Sequence, residues 1–447
     1  MKQVATATVV LSCFLSVTCA HAVAARGVEY WPTWRGPTMD GVALKGNPPV
    51  TWSESENIKW KIDLPGAGTS TPIIWGDKMF FQTAVDTGQA GPAPAATAPA
   101  QTGGRRGPGR GRAPTTIHAF DLVCLDRTTG KLLWQKTATK AVPHEGHHQD
   151  HGFASYSPIT DGKHIWASFG SRGLYCFDMD GNLKWSGDLI PMTIRGGFGE
   201  GSSPALAGDA VVVVCDHEGD SAIFAFHKDT GQLLWRKDRD EASSWATPMP
   251  VEVDGKLQVI VNATNFVRSY DAQTGQIIWQ CTGQTGNVVP TPILGFGKVF
   301  CTSGFRGSML QAIQLGRTGD LSGSDAIAWQ VDSGTPYVPS PILHNGRIYV
   351  FAVNNAVLSC YDARTGEPHY TGQRLEGIRG VYASPVAVAD RIYFVGRNGV
   401  SIVIRSADTL EILATNTLDD GFDASPAIVG DSLYLKGRKH LYCLMSP

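Results

Sequence analysis

The sequence is short of the signals that mark most enzymes, membrane proteins and nucleic-acid binders. Of its 447 residues only 17% are charged, and a formal net charge of −2 argues against a nucleic-acid partner held by general electrostatics. No apolar run approaches the ~20 residues of a membrane-spanning helix, and no heptad pattern marks a coiled coil. Cys-x-x-Cys and Cys-x-x-Cys-His are both missing, so thioredoxin-type redox chemistry and attached haem have no support. Gly-x-Ser-x-Gly is missing too, and with it the nucleophile elbow of a hydrolase.

Turn formers and apolar residues are plentiful. Gly 51, Pro 26 and a 42% hydrophobic content favour many short strands around a large core. The N-terminus has one Lys, then an uncharged stretch from Val4 to Val17. Ala20-His21-Ala22 or Ala22-Val23-Ala24 follows as a small-residue cleavage site. This is the pattern of a secretory signal over residues 1–24, which implies an exported mature protein, periplasmic or extracellular. Ser16, three before Cys19, is a poor match to a lipoprotein signal. Cys124, Cys176, Cys360 and Cys443 recur at one position of a repeat and read as small core residues.

That repeat begins with Ser-Pro or Thr-Pro, its proline standing at 72, 158, 204, 248, 292, 341, 385 and 426. The spacing is about 44 residues except for one gap of about twice that. After each proline come a short apolar run, a Gly- or Asp-rich tight turn and a second β-type run. A third run then leads into Asp-x-x-Thr-Gly-x-x-x-Trp or a close variant. Four strands per repeat predict an all-β, eight-bladed propeller of four-stranded blades. Proline suits the first strand, whose free edge faces the central channel. Trp134, Trp185, Trp235, Trp279 and Trp329 mark the outer strand and are expected to pack between blades. The eighth repeat ends after three strands, whereas "NIKWKIDLP" upstream supplies an orphan outer strand with Trp60. An N-terminal strand is therefore expected to complete the last blade and close the ring. Residues 25–447 read as one propeller domain, with a disordered, low-complexity insertion at 84–116.

The Asp-x-x-Thr-Gly-x-x-x-Trp motif, the Ser-Pro strand starts and the "WPTWRGPTMDG" opening resemble the pyrroloquinoline-quinone-like propeller repeat family. Within it, the chain is similar to the exported branch likened to the BamB outer-membrane assembly factor. The resemblance covers essentially the whole mature chain. It implies a non-catalytic binding or scaffold protein that holds a protein or glycan ligand on its loop face. The alternative it implies is a quinoprotein oxidoreductase acting on alcohols or sugars with pyrroloquinoline quinone and calcium. Members of that enzymatic branch typically carry a vicinal Cys-Cys pair, and this chain has none.

In a propeller, the loops from outer to next inner strand and from second to third strand open on one face. The first kind contributes Glu200, Trp245, Tyr337, Arg379, Asp423 and the stretch "PHEGHHQDH". The second contributes Arg172, Asp216, Glu218, Asp220, Arg306, Arg397 and Arg438. The four arginines at one blade position suggest a basic ring able to hold carboxylates or sulfates, or a set of pairs with neighbouring acids. Glu200, Asp216, Glu218 and Asp220 offer oxygen ligands suited to calcium. Trp245 and Tyr337 can stack on a sugar or aromatic ligand. His144, His147, His148 and His151 have spacings usable for zinc or copper if the segment turns helically, although Gly146 and Gly152 disfavour a helix.

Overall fold

The computed structural model describes residues 29–92 and 113–447. The expected signal at 1–24 and the arginines at 105, 106, 110 and 112 lie outside the described residues. The rest forms eight antiparallel sheets, one per repeat, each a blade whose first strand faces a central channel. Blade 3 shows the pattern: Ala205–Ala207, Ala210–Cys215, Ala222–His227 and Leu233–Asp238 run from channel to periphery. Ala210–Cys215 is buried throughout, whereas on Leu233–Asp238 only Trp235 is buried. That gradient follows from sheets packing face to face around a ring, with only the outermost strand meeting water.

The outer tryptophans hold neighbouring blades together. Trp134 lies against Gly181, Trp185 against Gly231, Trp235 against Gly275 and Trp329 against Gly366, each glycine belonging to the next blade's Thr-Gly or Asp-Gly turn. These glycines have positive φ, so the turn needs glycine twice, for its backbone angle and for the indole above it. Trp185 Nε1 donates to Lys228 O at 2.9 Å and Trp235 Nε1 to Ala272 O at 2.9 Å. In blade 5 the turn is replaced by a longer loop. Its Gly319–Asp320 strand instead pairs in parallel with Ile277–Cys281 of blade 4, beside Trp279.

The ring closes as expected. Ala427–Val429, Ser432–Lys436 and His440–Leu444 form three strands of blade 8, and Ile58–Asp63 adds the fourth, with Trp60 opposite Cys443. The cysteines at 124, 176, 215, 281, 301, 360 and 443 are buried free thiols.

The insertion of blade 1 is shorter than the expected 84–116. Lys78–Ala90 and Thr116–Asp126 continue the hairpin, pairing Val85 with Ala119 and Ala90 with Thr116. Thr83, Val85 and Thr87 alternate along this ladder as β-branched residues do, and the Thr-Gly-Gln composition hid that alternation.

The stretch before the closing strand has a second task. Tyr30–Trp31 pairs with Ile73–Trp75 on the channel side of blade 1. The chain then crosses the channel, with Pro32 O accepting from Thr160 N at 3.0 Å, and joins Ala387 of blade 7 through Gly41 and Ala43. Arg35 is fully buried there, donating to the carbonyls of Pro385, Pro341 and Asp40. The "WPTWRGPTMDG" opening is thus a plug across the channel.

Candidate functional site

Each Ser or Thr before a strand-initiating proline places its hydroxyl at the channel wall. Thr71 N donates to Ser157 Oγ and Ser157 N to Ser203 Oγ; from Thr247 the links run through Thr291, Ser340, Ser384 and Ser425 back to Thr71. Donor–acceptor distances are 2.9 to 3.1 Å, and all eight residues are buried. The remaining hydroxyl, Thr247 Oγ1, accepts instead from Trp34 Nε1 of the plug at 3.1 Å.

Above this collar is a cavity of about 330 Å³. Trp34 lies at its base. Its wall includes the residues two positions before the collar, among them Trp245, Tyr382 and Asp423. Phe198, Phe305, Tyr337, His148, Asp150 and His151 complete it. Trp245 is fixed by Nε1 donating to Gly199 O at 2.7 Å. Tyr337 and Phe305 have ring centroids 5.0 Å apart.

The charges around the mouth neutralise one another. Arg397 bridges two acids, with Nη2 2.6 Å from Asp150 Oδ1 and Nε 2.7 Å from Asp423 Oδ1. Arg438 Nε reaches Asp423 Oδ2 at 2.8 Å. Tyr382 donates to Asp150 Oδ2 at 3.2 Å, and Arg397 lies 4.0 Å from the Tyr382 ring centroid. The hydrogen bond from Arg397 holds the Asp150 carboxyl below its usual range. Burial pushes the His151 imidazole down to about 4, so it is neutral near pH 7.

Of the residues singled out from sequence, Trp245, Tyr337, Asp423, His148 and His151 line this cavity. Arg397 stands behind it between Asp150 and Asp423. His144, His147, Arg172 and Glu200 border a separate cavity of about 30 Å³. There Glu200 accepts from Ser171 N at 2.8 Å and from Tyr156 Oη at 3.2 Å, and burial raises its carboxyl above the usual value. Arg172 donates to Val142 O. Asp216 is consumed by the buried Arg239, at 2.7 and 3.0 Å, and Glu218 by Ser243 at 2.8 Å. Arg306 is exposed over Phe305, and Arg379 is exposed with its N–H on Asn398 Oδ1. Arg172, Arg306, Arg397 and Arg438 therefore form no free basic ring.

The four histidines do not converge. His147 packs on Phe153 at 4.4 Å and His148 on Phe198 at 5.8 Å between centroids, while His144 is exposed. Among the described residues no three His, Cys, Asp or Glu side chains are arranged to hold a metal ion.

Sequence reasoning missed the hydroxyl collar, Trp34, Asp150, Phe198, Phe305 and Tyr382. The collar's signal was plain, a hydroxyl residue before every strand-initiating proline, but the proline alone seemed to explain the motif.

Fold and pocket together define an eight-bladed propeller of the pyrroloquinoline-quinone-like repeat class. Within that class, the chain belongs to the family described as outer membrane protein assembly factor BamB, whose pattern matches residues 118–371. No curated protein matches the sequence. Among solved structures, BamB from Moraxella catarrhalis is 14% identical, with TM-score 0.53 over 81% of this chain and 98% of that one. Quinohaemoprotein alcohol dehydrogenase from Comamonas testosteroni is 10% identical, with TM-score 0.59 over 93% and 80%. The quinohaemoprotein alcohol dehydrogenase ADHIIG of Pseudomonas putida HK5 is 10% identical, with TM-score 0.59 over 94% and 81%. At these identities the likeness is one of fold.

The quinone and calcium of that enzymatic branch do not fit this cavity. Pyrroloquinoline quinone carries three carboxylates, and here they would face Asp150 and Asp423 with the adjoining Arg397 and Arg438 already paired. Among the described residues, no three acidic side chains converge to supply the carboxylates of a calcium site.

Proposed function

We propose that the protein is an exported, non-catalytic propeller that holds a protein or glycan ligand at the loop face of its channel. One observation carries this reading: the channel mouth is a closed-bottomed, aromatic-walled cavity whose charged groups are spent on one another. Such a surface binds by shape, apolar contact and neutral hydrogen bonds, and its ionised groups are held too firmly to shuttle protons. The family's description as an outer membrane assembly factor supports an exported binding role, as does the signal-like N-terminus.

Mature protein mixed with pyrroloquinoline quinone and calcium is expected to reduce no dye with alcohols or sugars. Turnover that disappears in Glu200→Ala or Asp423→Ala would overturn the reading.

A further inference from the structure

We infer that the channel cavity is a site for a neutral sugar, the last one or two rings of an uncharged glycan. The inference rests on the binding reading of this cavity and names its ligand class.

The base of the cavity is a surplus of hydrogen-bond donors. Each collar hydroxyl accepts one bond, from a neighbouring blade's N–H or from Trp34. A hydroxyl that accepts keeps its own proton to give. Among the described residues, none of the eight donates to a protein acceptor, and all eight line the cavity. These donors point into a cavity open at its mouth, where an oxygen-rich guest on the channel axis can take the bonds that they would otherwise give to water.

The wall has the opposite character. Trp34, Trp245, Phe305, Tyr337 and Tyr382 give it aromatic faces. A pyranose has the same division, C–H faces that lie against aromatic rings and an edge of oxygens. Its hydroxyls donate as well as accept, and the mouth supplies acceptors in Asp150 and Asp423.

Charge and size narrow the class. Arg397 and Arg438 are paired, His151 is kept neutral by desolvation, and the exposed Arg306 is outside the lining, so a carboxylate or sulfate would find no counter-charge in the cavity wall. The plug closes the far side, so the guest enters by an end and does not thread through. About 330 Å³ is at the small end of ligand cavities and suits one or two rings.

The test is calorimetry and tryptophan fluorescence on the full mature chain. The neutral probes are glucose, galactose, mannose, xylose, N-acetylglucosamine, cellobiose, maltose and chitobiose. Glucuronate and the capped peptide acetyl-Gly-Trp-Gly-amide are the comparators. At least one neutral sugar is expected to saturate, with glucuronate at least tenfold weaker. Tyr337→Ala, half-buried at the mouth, is expected to weaken it about tenfold in protein that remains folded. Trp34→Phe, which keeps a ring but loses the bond to Thr247, is the second variant and is expected to bind more weakly. Failure of every neutral sugar at about 10 mM on folded protein overturns the inference. Glucuronate binding as well as glucose does the same. Peptide binding without sugar binding also overturns it, while leaving the wider binding reading standing. A bound sugar that reduces dye would instead overturn the non-catalytic reading and keep the sugar site.

Discussion

Asp216 is a carboxylate that the fold itself uses up. Its two oxygens take Arg239 Nε and Nη2, Ser244 adds a bond at 2.6 Å, and both members of the ion pair have fully buried side chains. Removing one member leaves a bare charge in the interior. Asp216→Ala is expected to cost about 3–5 kcal/mol in urea unfolding, with Asp216→Ala/Arg239→Met recovering much of it. Glu145 in the histidine loop shows the opposite problem. It accepts from Ile194 N at 2.9 Å, yet burial, with the nearby Glu200 adding to it, pushes its carboxyl up to about 7 from an ordinary 4.5. The native state therefore holds a proton that the unfolded chain has released over this range. Stability from this group should fall as pH rises from 4.5 to 7 and level off above. Glu145→Gln should flatten the profile and gain about 1–2 kcal/mol above pH 7, discounted for the side chain's partial exposure. Thermal melts of both proteins between about pH 4 and 8 check it.

At the scale of the element, five junctions between blades are locked by an outer tryptophan over a glycine, and seven, near the channel, by a hydroxyl under an N–H. A Cβ on Gly275 would meet Trp235 at 2.6 Å, and the residue has a φ of +68°. Gly275→Ala is therefore expected to cost about 2–3 kcal/mol, from backbone strain plus a displaced indole. Gly255→Ala, also at positive φ but with nothing within 4 Å, should cost about 1 kcal/mol in the same melt. The outer lock was legible in the sequence because tryptophan, with 12 in the chain, is rare enough to stand out at a fixed spacing from the Thr-Gly turn. The inner lock was not, because serine and threonine are common and the adjoining proline supplied a sufficient local reason. The site divides the same way. Trp245, Tyr337 and Asp423 follow from blade register alone, as does the arrival of His148 and His151 at the channel mouth. Arg172, Glu200, Asp216 and Glu218 occupy equally plausible loops, but whether a polar side chain faces a cavity or a neighbour depends on contacts between distant blades. No local pattern records those contacts.

For the whole molecule, the N-terminal segment both closes the ring and bottoms the channel. Ile58–Asp63 covers the edge of His440–Leu444, an edge that would otherwise present free N–H and C=O groups. Some residues earlier, Trp31, Arg35 and Met39 are fully buried inside the ring, and Arg35 ties the carbonyls of blades 6 and 7 through Pro341 and Pro385. These two tasks can be separated by truncation. A chain beginning at Asn47 keeps the closing strand but loses the plug. It should keep the association state of the longer chain, melt lower by the loss of several buried side chains, and lose the base of the cavity. A chain beginning at Pro65 loses both, exposing the bare edge of blade 8, and should self-associate. Light scattering with thermal melting distinguishes the two. If the Pro65 chain showed no added association and the melting temperature of the Asn47 chain, the terminal strand would not be what holds the ring shut. The outcome bears on function as well, since only the plug places Trp34 under the hydroxyl collar, and a sugar should bind the Asn47 chain far more weakly even though all eight blades remain.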